Sequence, residues 1–181
     1  MPISHVMPTT PTYEVRLATL SDAQAVADIH ASASQAAYQG LVPDEHLGGL
    51  PAIKRLSLWR EAIEYGDPQV MVALEGGVVV GFAGFDRSRD KGTPATTGEI
   101  WAIYAAPAHW NRGVGLALWD GAREGLLEEG CIHVSVWVPL RNERALRFFE
   151  LAGFKREMST AKTVPMGAIK VEEIRLRRPL A

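Results

Sequence analysis

The chain has 181 residues, 47% of them apolar and 22% charged, with a formal charge of −2 and a single cysteine. That length suits one well-cored domain, and the composition excludes a disordered or fibrous chain. A charge so near neutral exerts no general pull on polyphosphate or anionic lipid, so neither nucleic acid nor membrane is expected as a partner.

Residues 1–12 hold three prolines and no Lys or Arg. They read as a flexible N-terminal tail without the features of a secretory signal, ahead of a single domain over 13–181. No apolar run approaches the roughly 18 residues that cross a bilayer, and a cytoplasmic location is expected. Cys131 has no partner for an internal disulfide, and the five histidines are scattered, so no metal site is expected.

Residues 13–17 alternate polar and apolar side chains and predict a first strand. Ser21 and Gln24 have the spacing of a capping box, followed by Val26, Ile29 and Ala33 at helical intervals up to Gly40. A short helical turn is expected over 43–47. Pro51 then opens a second helix with Ile53, Leu56, Trp59 and Ile63 on one face, closed by Gly66.

Two runs rich in β-branched residues, 70–74 and 78–85, flank Gly76 and Gly77 as a hairpin. After a polar loop, 99–105 predicts a fourth strand stopped by Pro107, and a helix over 114–129 opens directly from a glycine loop. A strand over 132–138, a helix over 143–152 behind Asn142, and strands near 154–159 and 170–177 complete the order. The class is therefore mixed α/β (α+β). Strands two to four should be antiparallel, and the crossover helix makes strands four and five parallel.

The glycine loop is Trp110, Asn111, Arg112, Gly113, Val114 and Gly115. Glycines entering a helix expose main-chain donors and a partial positive charge, which can cradle a phosphate without a basic side chain. A P-loop would need Lys and Ser or Thr where Leu116 and Ala117 stand. A dinucleotide fingerprint would need a small residue at Leu118 and an acid where Val138 and Pro139 end the next strand. A turn shaped only for packing, and an unrelated scaffold binding a nucleotide phosphate, both stay open on these residues alone.

Two runs in the right order carry a more specific signal: EIWAIYAAP over 99–107 followed by WNRGVG over 110–115, and NERALRFFELAGF over 142–154. Together they resemble the GNAT superfamily of acyl-CoA N-acyltransferases. The resemblance implies a mostly antiparallel twisted sheet of about seven strands flanked by about four helices, in which strands four and five splay to admit the cofactor. It implies acetyl-CoA as cosubstrate, its pyrophosphate on the amides of Arg112, Gly113, Val114, Gly115, Leu116 and Ala117. The pantetheine arm would pair like an added strand with Ile103, Tyr104 and Ala105. Asn142 matches an asparagine that reaches the pantetheine, although a plain helix cap reads equally well. Phe149 packs in the core or also touches the thioester.

Transfer to an amine of pKa about 10 needs removal of a proton. Glu99 matches a position where relatives place a carboxylate, against the alternative of a surface or salt-bridging glutamate. Phe149 stands where many relatives have the tyrosine that protonates the departing thiolate, which leaves Tyr104 or water for that role. Tyr38, Trp101, Trp59 and His46 are candidates for the acceptor cleft or for the aromatic core. Cys131 reads as a buried, inert thiol. The acceptor is expected to be a small-molecule or peptide amine, a homodimer through the late strands stands as one option, and a non-catalytic acyl-CoA sensor is the alternative function.

Overall fold

A computed structural model of the chain describes residues 12–40, 50–166 and 169–181. The expected turn at 43–47, His46 and nearly all of the expected tail lie outside those residues. Seven strands form one sheet in the order β1-β2-β3-β4-β5-β7-β6: β1 is Glu14–Leu17, β2 Gln69–Glu75, β3 Val78–Arg87, β4 Thr97–Ala105, β5 His133–Pro139, β6 Lys155–Met166 and β7 Ile169–Pro179. The helices are α1 (Ala23–Tyr38), α2 (Ala52–Tyr65), α3 (Val114–Glu128) and α4 (Glu143–Leu151). All pairings are antiparallel except β4 with β5, as the crossover through α3 demands.

Period-two alternation distributes the strands between two faces. Val70, Val72, Leu74 and Phe82 meet α1 and α2 through Val26, Ile29, Ala33, Trp59 and Ala62. Phe85, Val134, Val136, Ile174 and Leu176 meet α3 and α4 through Trp119, Leu126, Leu146 and Phe149 on the opposite face. In the β2–β3 hairpin, Gly76 and Gly77 take φ of 56° and 80°, the left-handed pair that matches strand twist.

Local details differ from the sequence reading. The capping carboxylate is Asp22, which accepts from the Thr19 amide at 2.8 Å, while Gln24 reaches Asp28 instead. Arg16 pairs with Asp22 at 2.7 Å and so fastens β1 to the start of α1. Ile53 is 79% exposed, so the buried face of α2 is Trp59 and Ala62, with Leu56 and Ile63 at its margin. β6 runs well past the expected 154–159. It is an edge strand, so Pro165 costs no ladder bond to a further neighbour. Residues 158–161 bulge out opposite Ile174, and the Thr160 hydroxyl accepts the Arg175 amide at 3.0 Å in place of a ladder bond.

The feature that positions the site is in β4. Its pairing with β5 spans only Thr97 to Ile100, opposite His133 to Val136. Against β3, Gly84 faces Ala102 and Phe85 faces Ile100, so Trp101 is an extra residue in a bulge. The bulge reverses the alternation. Ile100 packs toward α3 and α4, whereas Ala102 and Tyr104, of the same parity, pack toward α1 and α2. Beyond Ile100, β4 follows β3 while β5 follows β7, and the two parallel strands part.

Gly125 shows how closely α3 lies on the sheet: a Cβ there would sit 2.8 Å from the Phe85 ring. Gly125→Ala should therefore destabilise the fold by about 1–3 kcal/mol despite a helix-propensity gain of about 1 kcal/mol. Urea unfolding of the two proteins checks the sign.

Candidate active site

The glycine loop enters α3 through two left-handed residues, Asn111 at φ 62° and Gly113 at φ 86°. The first helical bond there runs from the Ala117 amide to the Gly113 carbonyl at 3.1 Å. The amides of Val114, Gly115 and Leu116 therefore precede the helical ladder, as donors at the positive end of the helix. Val114 is 1% exposed and anchors the turn, while Leu116 is 54% exposed.

Three contacts hold the loop from outside. The Tyr13 hydroxyl donates to the Arg112 carbonyl at 2.8 Å, and the Trp110 indole donates to the Ala105 carbonyl at 3.0 Å. The Arg144 guanidinium lies 3.8 Å above the Trp110 ring, which couples the start of α4 to the loop. Trp110 is thus a clasp, a role that its position in the loop sequence did not suggest. Gly115 also has a packing reason. A Cβ there would lie 3.1 Å from the Phe148 ring, so a larger residue would push that ring, and α4 with it, back by a few tenths of an ångström.

Asn142 caps α4, its Oδ1 accepting from the Ala145 amide at 3.2 Å. Phe149 is buried between Phe148 and Phe154, with ring centroids 5.1 and 5.2 Å away. Phe148, not Phe149, is the ring against the front of α3.

Glu99 sits in the last paired stretch of β4, at the floor of the opening, and is 1% exposed. Its Oε1 accepts from the Arg89 amide at 3.0 Å, and its Oε2 accepts from Arg89 Nε at 3.1 Å and from Nη2. The Arg89 guanidinium lies 3.9 Å above the Trp101 ring. Trp101 Nε1 is buried and has no acceptor among the described residues. Trp101 is thereby both bulge and platform.

Tyr104 projects from the free arm of β4 between His30, stacked at 5.6 Å, and Phe82 at 5.8 Å. Burial pushes its phenol up, against a hydrogen bond with Ser34. Burial raises Tyr38 as well, with Tyr104 and Glu173 adding to the effect. Tyr38 also lines a cavity of about 400 Å³ with Pro139, Arg141, Thr163, Lys170 and Glu172. Trp59, by contrast, is 6% exposed and belongs to the core, donating to His30 Nδ1 at 3.0 Å.

Several residues of this face went unnoticed in the sequence. Trp137 on the free arm of β5 donates to Asp90 at 3.1 Å and carries Lys162 Nζ 3.9 Å above its ring. Arg175 joins Asp90 at 3.1 Å to Glu157 at 2.7 Å. Burial pushes the Glu173 carboxyl up, opposed by Lys162 and Arg89 and reinforced by Asp90 and Glu99. The alternation of β5 and β7 held a signal for Trp137 and Glu173, since both oppose core positions. Nothing marked Arg89 and Asp90 within their loop.

Residues 32–154 match the acetyltransferase (GNAT) family model, and the chain belongs to that family. It is 29% identical over 168 residues to the uncharacterized N-acetyltransferase YuaI of Bacillus subtilis, covering 91% of this chain and 92% of that one. Its fold is similar to that of yncA from Salmonella typhimurium, solved with its cofactor acetyl-CoA, at TM-score 0.69 and 22% identity over 93% and 94% of the two chains. An N-acetyltransferase from Staphylococcus aureus Mu50 superposes at TM-score 0.73 and 19% identity, over 94% and 99%. The mixed seven-stranded fold and the superfamily resemblance are thereby borne out. Among the described residues no helix is long and apolar enough to cross a membrane.

Burial pushes the His30 imidazole down from its ordinary 6.5, and Arg55 adds repulsion. The unfolded chain therefore takes up a proton that the folded chain resists. Stability from this group is complete above about pH 6.5 and declines as pH falls through that value. His30→Gln should flatten this acid limb in urea midpoints measured from about pH 7.5 to 5.

Proposed function

We propose that this protein transfers the acetyl group of acetyl-CoA to the neutral nitrogen of a primary amine in one direct displacement, within a single unit spanning 13–181. The observation that carries this reading is the parting of β4 from β5 beyond Ile100 and Val136, with the front of α3 at its mouth and a buried carboxylate at its floor. A seam between parallel strands leaves main-chain groups on both arms facing an extended amide-bearing chain. The amides of Arg112, Gly113, Val114, Gly115 and Leu116 suit a diphosphate in which geometry and helix charge act together, whereas the amide of Ala117, expected among them, is taken by the Gly113 carbonyl. Ile103, Tyr104 and Ala105 offer the edge for the pantetheine arm, with the Ala105 carbonyl already engaged by Trp110.

Bond by bond, the amine nitrogen joins the acetyl carbon and the carbon–sulfur bond breaks. The ammonium proton goes to Glu99, and the second nitrogen proton leaves toward the sulfur. Glu99 suits the first role because it is buried at the base of the opening and projects on the α1 and α2 side, opposite Ile100. A backbone amide near Tyr104 faces the oxygen that gains charge. The Tyr104 phenol, raised by burial, keeps its proton at neutral pH and serves the departing sulfur as a hydrogen-bond donor. Asn142 Oδ1 is used by the cap, which leaves its amide group for the pantetheine. Phe149 lies behind these groups as packing. Tyr38 and Trp101 border the acceptor side.

Calorimetry should give saturable acetyl-CoA binding, and thiol release should appear with a subset of amines. Glu99→Gln should lower kcat by about 100-fold with acetyl-CoA affinity changed by less than about twofold. Binding without thiol release from any amine would support the sensor alternative, which Phe149 favours by lacking a hydroxyl. Tyr104→Phe should lower kcat by about tenfold or more and shift the alkaline limb of the pH–rate profile; an unchanged limb removes Tyr104 from the chemistry.

A further inference from the structure

Glu99 poses a difficulty for the mechanism just described. A carboxylate can take a proton from an incoming ammonium only through an oxygen with a free lone pair facing it. Oε2 accepts twice from the Arg89 side chain, and Oε1 accepts from the Arg89 amide. Three of the four acceptor sites of the carboxylate, and both of those on Oε2, are thus taken by a single residue.

That residue is placed to leave. The Glu99 side chain is 2% exposed, but the Arg89 side chain is 55% exposed. The guanidinium carbon lies 3.9 Å from the centre of the Trp101 ring, whose buried Nε1 lacks an acceptor among the described residues. An oxyanion arriving at the edge of this platform would meet a two-pronged donor above the ring and have the unsatisfied N–H within the ring plane as a second donor. An acceptor with nothing but an ammonium would instead meet the positive charge of Arg89.

We infer that Arg89 and the Trp101 indole N–H form a carboxylate subsite, and that the acceptor is an amino-acid-like molecule whose carboxylate draws Arg89 off Glu99. The exchange gives Arg89 a new carboxylate but would leave the buried Glu99 charge uncompensated, so the acceptor's own ammonium must arrive on Glu99 as the guanidinium leaves. Glu99 stays in register because Oε1 remains tied to the Arg89 main chain, while Oε2 is uncovered. The nitrogen that reaches Oε2 must lie a few bonds from the carboxylate that displaced it, which favours α- and β-amino acids over long diamines. Recognition and activation would then be a single event, and simple amines would be rejected without any steric block.

This inference rests on the acetyl-transfer reading and is tested apart from it. Thiol release is measured with matched triplets (an L-amino acid, its carboxamide and its decarboxylated amine) covering small, apolar, aromatic and charged side chains. The wild-type protein should favour the acid over both partners by about 100-fold in kcat/KM, the worth of a charge-assisted bidentate contact. Arg89→Gln should lower the rate with the acid while no longer masking Glu99 against the carboxamide and the amine, so that ratio collapses to near one, through the acceptor KM and not the acetyl-CoA KM. Arg89→Lys should restore part of it, and Trp101→Phe should reduce it by about tenfold. Circular dichroism melts verify that each variant folds. Equal use of acids and amides, or a ratio that survives Arg89→Gln, overturns the subsite and leaves acetyl transfer standing. Acetyl-CoA binding with no thiol release from any acceptor overturns both.

Discussion

Four residue pairs of parallel sheet are the constraint on which the rest of this molecule depends. β4 and β5 share only those pairs before the bulge at Trp101 turns one strand toward its antiparallel neighbour. Buried main-chain groups need partners, and a seam that closes at one end and opens at the other is a demand for a strand-like guest. Other features of the site are arranged around that opening. α3 starts at the mouth because the crossover must begin where β4 ends, and α4 starts beside it because β5 ends there. Two helix fronts and the open seam thus converge through topology, before any side chain is specified.

The same bulge settles which side chains serve the opening. Strict alternation would send Tyr104 to the α3 face along with Ile100. One inserted residue places Tyr104 beside His30 and Phe82 instead, on the side to which Glu99 projects. The loop at the mouth is held by side chains from distant segments: Tyr13 from before β1, Trp110 onto the end of β4, and Arg144 from α4. Such clasps fix amide directions in advance, which is what an anion site needs if it is to act without reorganising.

Much of this was legible in the sequence, for identifiable reasons. Hairpins, crossovers and helix fronts are local grammar, so the glycine pair at 76–77, the turn entering α3 and the Asn142 cap were readable at their own positions. What escaped was produced by register and by contacts across the chain. The bulge at Trp101 depends on how β4 slides against β3, which no local pattern in 97–105 discloses. Arg89 reaches Glu99 across a loop, and Trp137 meets Asp90 across 47 residues of sequence. The capping box was placed two residues late because Ser21 and Gln24 mimic the pattern that Thr19 and Asp22 complete. β6 was read too short because its alternation breaks at the bulge over 158–161, beyond which the pairing with β7 resumes in a shifted register.

The hydroxyl bond from Tyr13 to the Arg112 carbonyl joins the residue ahead of the first strand to the turn that begins α3. Since β1 borders only β2, it is the outermost member on its side of the sheet and among the first to fray. An anion on the turn that tightens this bond would slow amide exchange in β1, and loosening of β1 would then weaken the anion by the same free energy. The amino-terminal strand is in this sense a remote gauge of occupancy, readable by exchange at residues that never meet the ligand.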